Sequence, residues 1–319
     1  MGKKLFDFGG LWLALLLCLV LILVSCVTTG SIEEISSEYY NIGNAYFKLG
    51  EYAKAVKYYE KAYRLNPRLS ESRYNLSLAY MKIGKFSNAE KILTELLEKD
   101  PKNVKVLNAL AYDYYLKGDD AKSLEMFGRI LKEYPESRDA RNNIAIIYWK
   151  EGKTERAVSE FKKILDYYPN DLVTKFNLGK ILIENERYRE GLKYMADYVE
   201  LKPDDAEAFV IMGYGYEGIE DYKKALDAFS YALSVNDKLK VAWFESAFIL
   251  LTKVEDPERG KADLKRALDL GFNDRDKLRS LLGAKDLVDR EEIVKLIKES
   301  GVKLGNSSLF SPSNETPQD

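Results

Sequence analysis

The chain has 319 residues, 46% of them hydrophobic and 31% charged, which is enough apolar content for a large core and too much for a disordered chain. Its 49 Lys and Arg nearly balance 51 Asp and Glu, leaving −2, so the surface is not built to neutralise nucleic-acid phosphates. Histidine is absent, and both cysteines, Cys18 and Cys26, lie near the start; the remainder has no imidazole base, thiol nucleophile, disulfide or Cys-based zinc site. The expectation is a chain that is not an enzyme and that carries no metal or cofactor.

Lys3 and Lys4 precede an almost unbroken apolar run from Leu11 to Val24. That length suits a signal-peptide core and falls short of the ~20 apolar residues of a spanning helix. The run ends in Leu23-Val24-Ser25-Cys26, which resembles the lipobox of bacterial lipoproteins. The resemblance implies that residues 1–25 are a signal peptide and that Cys26 is acylated as the first mature residue. Several acyl chains, at about 0.8 kcal/mol per buried CH₂, then hold the protein on a membrane. A retained signal anchor is the alternative, since Gly9 to Val27 just spans a thin bilayer. Both place the rest outside the cytoplasm, because the lysines stay inside. In enteric bacteria Asp after the lipid cysteine favours inner-membrane retention; Val27 stands there instead, which leans toward an outer membrane if the host has one. Residues 26–35 then form a lipidated terminus and tether. Val27 to Ile35 reaches about 30 Å at ~3.3 Å per residue.

Five of the eight prolines, Pro67, Pro101, Pro135, Pro169 and Pro203, recur every 34 residues. A fixed period of this size predicts stacked repeats, here beginning at Ser36, Ser70, Val104, Arg138, Leu172, Ala206 and Lys240. Each repeat reads as two helices. In the first repeat Tyr39, Ile42, Gly43 and Tyr46 form one stripe, Gly50 ends the helix, and Ala55, Tyr59 and Ala62 form the inner face of the second. Asn66-Pro67 closes the unit. The small residues at repeat position eight, Gly43, Ser77, Ala111, Ala145, Gly179 and Gly213, predict close helix crossings. Gly213-Tyr214-Gly215 is accordingly read as close packing inside a helix, and no Gly-rich phosphate loop is present.

Six repeats in this pattern resemble the tetratricopeptide repeat (TPR) family. The resemblance implies an all-α, right-handed superhelical solenoid over residues 36–273. The seventh unit departs from the pattern. Trp243 and Leu250 keep its first helix, Ser246-Ala247 replaces Leu-Gly, and Pro257, Gly260, Leu264 and Ala267 match only after a one-residue insertion. Gly271-Phe272 replaces its closing proline, as Asp237 does in repeat six. Residues 274–302 are expected to cap the stack, with Asp289 to Glu292 as a capping box and Val288 and Ile293 as a hydrophobic staple. Residues 303–319 are expected to be disordered, with Leu309-Phe310 their only apolar feature.

On the first helices, repeat positions two, five, nine and twelve form a second stripe. It carries Tyr40, Phe47, Tyr74, Met81, Tyr112, Tyr115, Ile146, Trp149, Phe176, Ile183, Tyr214, Phe244 and Phe248, where most soluble helices carry polar groups. In the TPR family this stripe lines the concave groove that holds a partner, and the resemblance implies the same use here, with roughly half the rings packing helix on helix instead. Asn41, Asn75, Asn143 and Asn177 at position six predict a column of amides, able to pair with both backbone groups of an extended peptide. The family's carboxylate clamp is incomplete: Asn44, Asn75 and Lys105 fit, but Tyr40 and Ala109 replace two required cations. The groove carries a charge gradient, with Lys48, Lys82, Lys105 and Lys150 early and Glu184, Glu207 and Glu217 late.

The expected function is a membrane-anchored scaffold of the bacterial cell envelope that binds a protein or extended peptide in its groove and no nucleic acid. The alternative is a periplasmic carrier or transporter accessory, with a small apolar molecule among the groove's rings.

Overall fold

The computed structural model describes residues 31–305. The signal segment, Cys26 and the Leu309-Phe310 motif lie outside the described residues. Every regular element among the described residues is an α-helix. The first, α1, covers residues 31–48, so residues 31–35, expected as tether, form its opening turns. Then follow α2 (Tyr52–Leu65), α3 (Ser70–Lys82), α4 (Phe86–Lys99), α5 (Val104–Lys117), α6 (Asp120–Glu133), α7 (Arg138–Lys150) and α8 (Thr154–Tyr167). The chain continues through α9 (Leu172–Glu184), α10 (Tyr188–Val199), α11 (Ala206–Gly218), α12 (Tyr222–Val235), α13 (Lys240–Thr252), α14 (Pro257–Asp269), α15 (Arg275–Gly283) and α16 (Arg290–Glu299). None of the described helices is long and apolar enough to cross a membrane. The chain divides into two compact units, one ending at Ile147 and the other starting at Tyr148.

The same backbone device turns each first helix into its second. A left-handed residue ends the helix, and the residue after it donates its N–H back to the last turn. Glu51 N bonds Tyr46 O (2.9 Å), Lys85 N bonds Tyr80 O (2.8 Å) and Asp119 N bonds Tyr114 O (2.9 Å) in the first unit. Arg187 N to Leu182 O (2.8 Å) and Asp221 N to Tyr216 O (2.9 Å) repeat it in the second. In the seventh repeat the bond to Leu250 O comes from Asp256 (3.0 Å), one residue later, which is the expected insertion.

Within a hairpin, a small residue at position eight lies under a large one from the second helix. A Cβ on Gly43 would stand 2.6 Å from the Tyr59 ring, and one on Gly213 would stand 2.4 Å from Phe229. Tyr59 fills this place over Gly43 in the first unit, and Met195 over Gly179 and Phe229 over Gly213 in the second, all buried. Buried hydroxyls tie the stack to backbone: Ser36 donates to Ala62 O (2.9 Å), Ser72 to Tyr59 O (3.1 Å) and Ser123 to Ala111 O (2.8 Å). Gly215 packs as Gly213 does, with Leu192 2.9 Å from its Cβ position, so the Gly-Tyr-Gly segment is a packing feature.

After α14, helices α15 and α16 pack into the apolar cluster of the seventh repeat, with two differences from expectation. Asp289 is left-handed (φ 49°) and makes no capping bond; its carboxylate accepts from Lys261 (3.0 Å), so the capping box is absent. Ile293 and Ile297 are buried all the same, with Val288 packed beside the cluster they form with Leu278, Leu281 and Phe272. Nor does order stop at Lys303. Leu304 is buried in that cluster, and its carbonyl accepts from Arg279 Nη2 (2.6 Å).

Candidate partner-binding groove

In the first unit the predicted residues gather into a network rather than a free ladder. Asn75 Nδ2 donates to the Tyr40 hydroxyl (3.1 Å) and to Asn44 Oδ1 (3.0 Å), and the Tyr59 hydroxyl donates to Asn44 Oδ1 (2.7 Å). Both Asn75 donors are thus engaged within the chain, and only its carbonyl is left for a peptide. Burial pushes the Tyr59 hydroxyl up to about 12, with the Tyr40 hydroxyl adding to the shift and Asn75 opposing it. Tyr40 lies against Tyr59, with ring centres 6.0 Å apart. Asn41 is exposed; Asn143, in this unit, and Asn177, in the second, are half-buried, and none of the three makes a side-chain hydrogen bond among the described residues. The amide donors of the expected column are therefore consumed at Asn75.

Tyr74 is half-buried beneath Lys105, whose Nζ lies 4.1 Å from the ring centre, and burial raises its hydroxyl. Together with Glu71, Leu96 and Asn103 they line a cavity of about 310 Å³. Tyr112 and Tyr115 stack (6.1 Å, 26°), and Tyr112 remains 42% exposed. Met81 is buried in the core, so its stripe position faces no groove.

The second unit holds the larger opening. Positions two, five, nine and twelve of α11, which are Glu207, Val210, Tyr214 and Glu217, line a cavity of about 710 Å³. Its other walls are Lys180, Ile183 and Glu184 from α9, Tyr188 and Tyr222 at the starts of α10 and α12, and Lys253 after α13. A Cβ on Gly218 would stand 2.4 Å from the Tyr188 ring, so a glycine at the end of α11 is what lets that ring form a wall.

Most predicted rings of this unit are held in place by neighbours. Trp149 is half-buried. Phe176 packs on Tyr198 (5.1 Å) as part of an apolar cluster with Met195 and Met212. Tyr214 packs edge-on against Phe229 (5.8 Å), and its hydroxyl donates to Glu245 Oε1 (3.1 Å) and accepts from Lys277 (3.3 Å). Burial, then the Glu245 charge, raises the Tyr214 hydroxyl. Phe244 does not belong to the groove. It is 1% exposed and stacks on Phe272 (4.3 Å, 11°), the residue that stands where a proline would close the repeat. Ile183 is 5% exposed and meets the cavity only as its floor.

The cavity is acidic. Glu207 pairs with Lys180 (3.1 Å), whereas Glu184 and Glu217 accept no hydrogen bond and close no ion pair among the described residues. Burial pushes Glu217 up to about 7, the Glu245 charge raising it further against Lys277 and Lys253. Burial also raises Glu184, with Lys180 opposing. Of the predicted stripe residues, Tyr214 and Ile183 line this cavity. Tyr188 and Tyr222 were missed, because they sit at the first position of second helices, where Tyr52 and Phe86 in the first unit had already signalled an aromatic preference.

Four tetratricopeptide-repeat family models match the chain, over residues 36–69, 70–103, 108–171 and 148–209, together more than half of it. The chain belongs to the tetratricopeptide repeat family. Three solved structures share its fold. The C-terminal part of a TPR repeat-containing protein from Cytophaga hutchinsonii is 15% identical with a TM-score of 0.63, over 75% of this chain and 98% of that one. A tetratricopeptide repeat protein from Parabacteroides merdae is 18% identical with a TM-score of 0.55, over 84% and 99%. MamA from Desulfovibrio magneticus, from its residue 41 onward, is 19% identical with a TM-score of 0.50, over 52% and 94%. A search of curated proteins finds no match to the chain.

Proposed function

We propose that this chain is a non-catalytic adaptor of the bacterial cell envelope, held on the outer side of a membrane by a lipid on Cys26, and that it binds a partner polypeptide along its first helices. The observation that carries the binding half is the cavity of about 710 Å³, which opens on the α11 stripe where TPR proteins bind. Its size is that of a ligand site, and its walls mix aromatic and apolar surface with a few polar groups. The anchoring half is supported by Leu23-Val24-Ser25-Cys26 at the end of the apolar run. A small apolar ligand fits less well, since it would cover the carboxylates of Glu184 and Glu217 without pairing them.

The test is a photo-crosslinking amino acid placed at Val210 or at Tyr214 in the native cell envelope, with Lys193, exposed on α10, as the control position. A protein adduct from the groove positions and none from Lys193 is the expected result. Adducts at equal yield from all three positions, or from none, reject the groove. For the anchor, Cys26→Ser is expected to leave the chain unacylated by mass spectrometry; an unchanged mass relative to the wild type rejects lipidation.

A further inference from the structure

We propose that the cavity between α9 and α11 in the second unit receives a basic side chain, lysine or arginine, of the partner polypeptide. This rests on the adaptor reading above and specifies the partner's chemistry at one site. Four carboxylates, Glu184, Glu207, Glu217 and Glu220, face two ammonium groups, Lys180 and Lys253, across the lining. Lys180 is already paired with Glu207, which leaves Glu184, Glu217 and Glu220 against Lys253 alone, and Glu184 and Glu217 close no ion pair among the described residues. A desolvated carboxylate gains most from a charged hydrogen-bond donor brought into the same low-dielectric space. The rise of Glu217 to about 7 reflects the same unmet demand.

The walls suit the same ligand. Tyr188 and Tyr222 belong to the lining, and aromatic faces attract ammonium and guanidinium groups. Tyr214 already shows this behaviour, with Lys277 Nζ 5.1 Å from its ring centre. Ile183 and Ile211 supply apolar surface for the methylene stem of a long side chain. A volume of about 710 Å³ leaves room for backbone on either side of that side chain. The chain's own residues 306–319 are not the occupant, because they contain Glu315 and Asp319 and no Lys or Arg.

The test uses the full chain in detergent micelles and blocked nine-residue Ala/Ser peptides with a central Arg, Lys, citrulline, Glu or Leu, read by fluorescence anisotropy. The Arg and Lys peptides are expected to bind at least tenfold more tightly than citrulline, which keeps the shape of arginine without its charge. Glu217→Gln is expected to abolish that preference, and Glu184→Gln to reduce it, with helical circular dichroism unchanged. Equal binding of all five peptides, a preference for Glu or Leu, or a charge preference that survives both substitutions overturns the proposal and leaves the adaptor reading standing. Binding of spermine but of no peptide overturns the commitment to a polypeptide. Failure of every probe overturns it as well, while the adaptor reading is judged separately by the Val210 crosslink.

Discussion

Asp113 in the first unit and Glu217 in the second share a predicament and differ in its resolution. Both are carboxyls held from water without a hydrogen-bond or ion-pair partner among the described residues. Asp113 is completely enclosed, both of its oxygens lack hydrogen bonds, and burial pushes it up to about 6. Glu217 is pushed up to about 7 by the same cause, but it lines an open cavity. Only Glu217 can be satisfied by something arriving from outside. A buried unpaired acid is therefore a stability cost in one unit and a recognition element in the other.

The turns differ in a parallel way. Gly50, Gly84 and Gly118 supply the left-handed residue in the first unit, with φ of 76°, 74° and 80°. In the second, Gly152 keeps it at 72°, whereas Glu186, Glu220 and Glu255 take it at 62°, 60° and 55°. The returning backbone bond is equally short either way, so packing of the hairpin, rather than glycine, dictates the turn. Glycine merely adopts the conformation without the steric penalty of a Cβ.

The largest expected effect tests the crossings. Gly213→Ala places a methyl group against Phe229 and is expected to destabilise the second unit by about 2–3 kcal/mol in urea unfolding. The first unit already accommodates a methyl at the matching Ala111, so Ala111→Gly is expected to lose only about 1 kcal/mol, from helix propensity. Equal losses would mean that the two crossings are not as different as their residues. Next comes Asp113→Asn. A carboxyl whose folded pKa is raised favours the protonated fold, so its stability contribution falls as pH rises from about 4 to about 6 and stays low above that. With Lys117 opposing and Glu90 reinforcing the shift, the substitution is expected to gain roughly 2–3 kcal/mol at pH 8 and nothing at pH 4. A gain independent of pH would assign the effect to packing. The smallest effect concerns the turns. Glu220→Gly is expected to raise stability by up to about 1 kcal/mol and Gly84→Ala to lower it by a similar amount; two losses would show that the Glu220 side chain contributes to the turn.

Much of this was legible beforehand for a physical reason. Prolines at Pro67 through Pro203 end helices wherever they fall, so their period transmits directly to the fold. The one-residue insertion before Pro257 was visible too, and Asp256 bonds Leu250 as that insertion requires. Phe244 was misplaced because its cover, Phe272, comes from the segment after α14, where the repeat pattern has lapsed. Asp289 has a capping residue's chemistry, but its left-handed backbone turns the carboxylate toward Lys261. The cavity itself was only half legible. Glu184, Glu207 and Glu217 stood out as the acidic end of the groove's charge gradient, whereas Tyr188 and Tyr222 reach the cavity from helices that the stripe does not include.

A structure of the full chain bound to the partner captured through Val210 tests the central claim most directly. The account predicts partner backbone running along α11 with a lysine or arginine nitrogen within hydrogen-bond distance of Glu217. A partner seated on the outer faces of α10 and α12, with the α9–α11 cavity filled only by solvent, would contradict it.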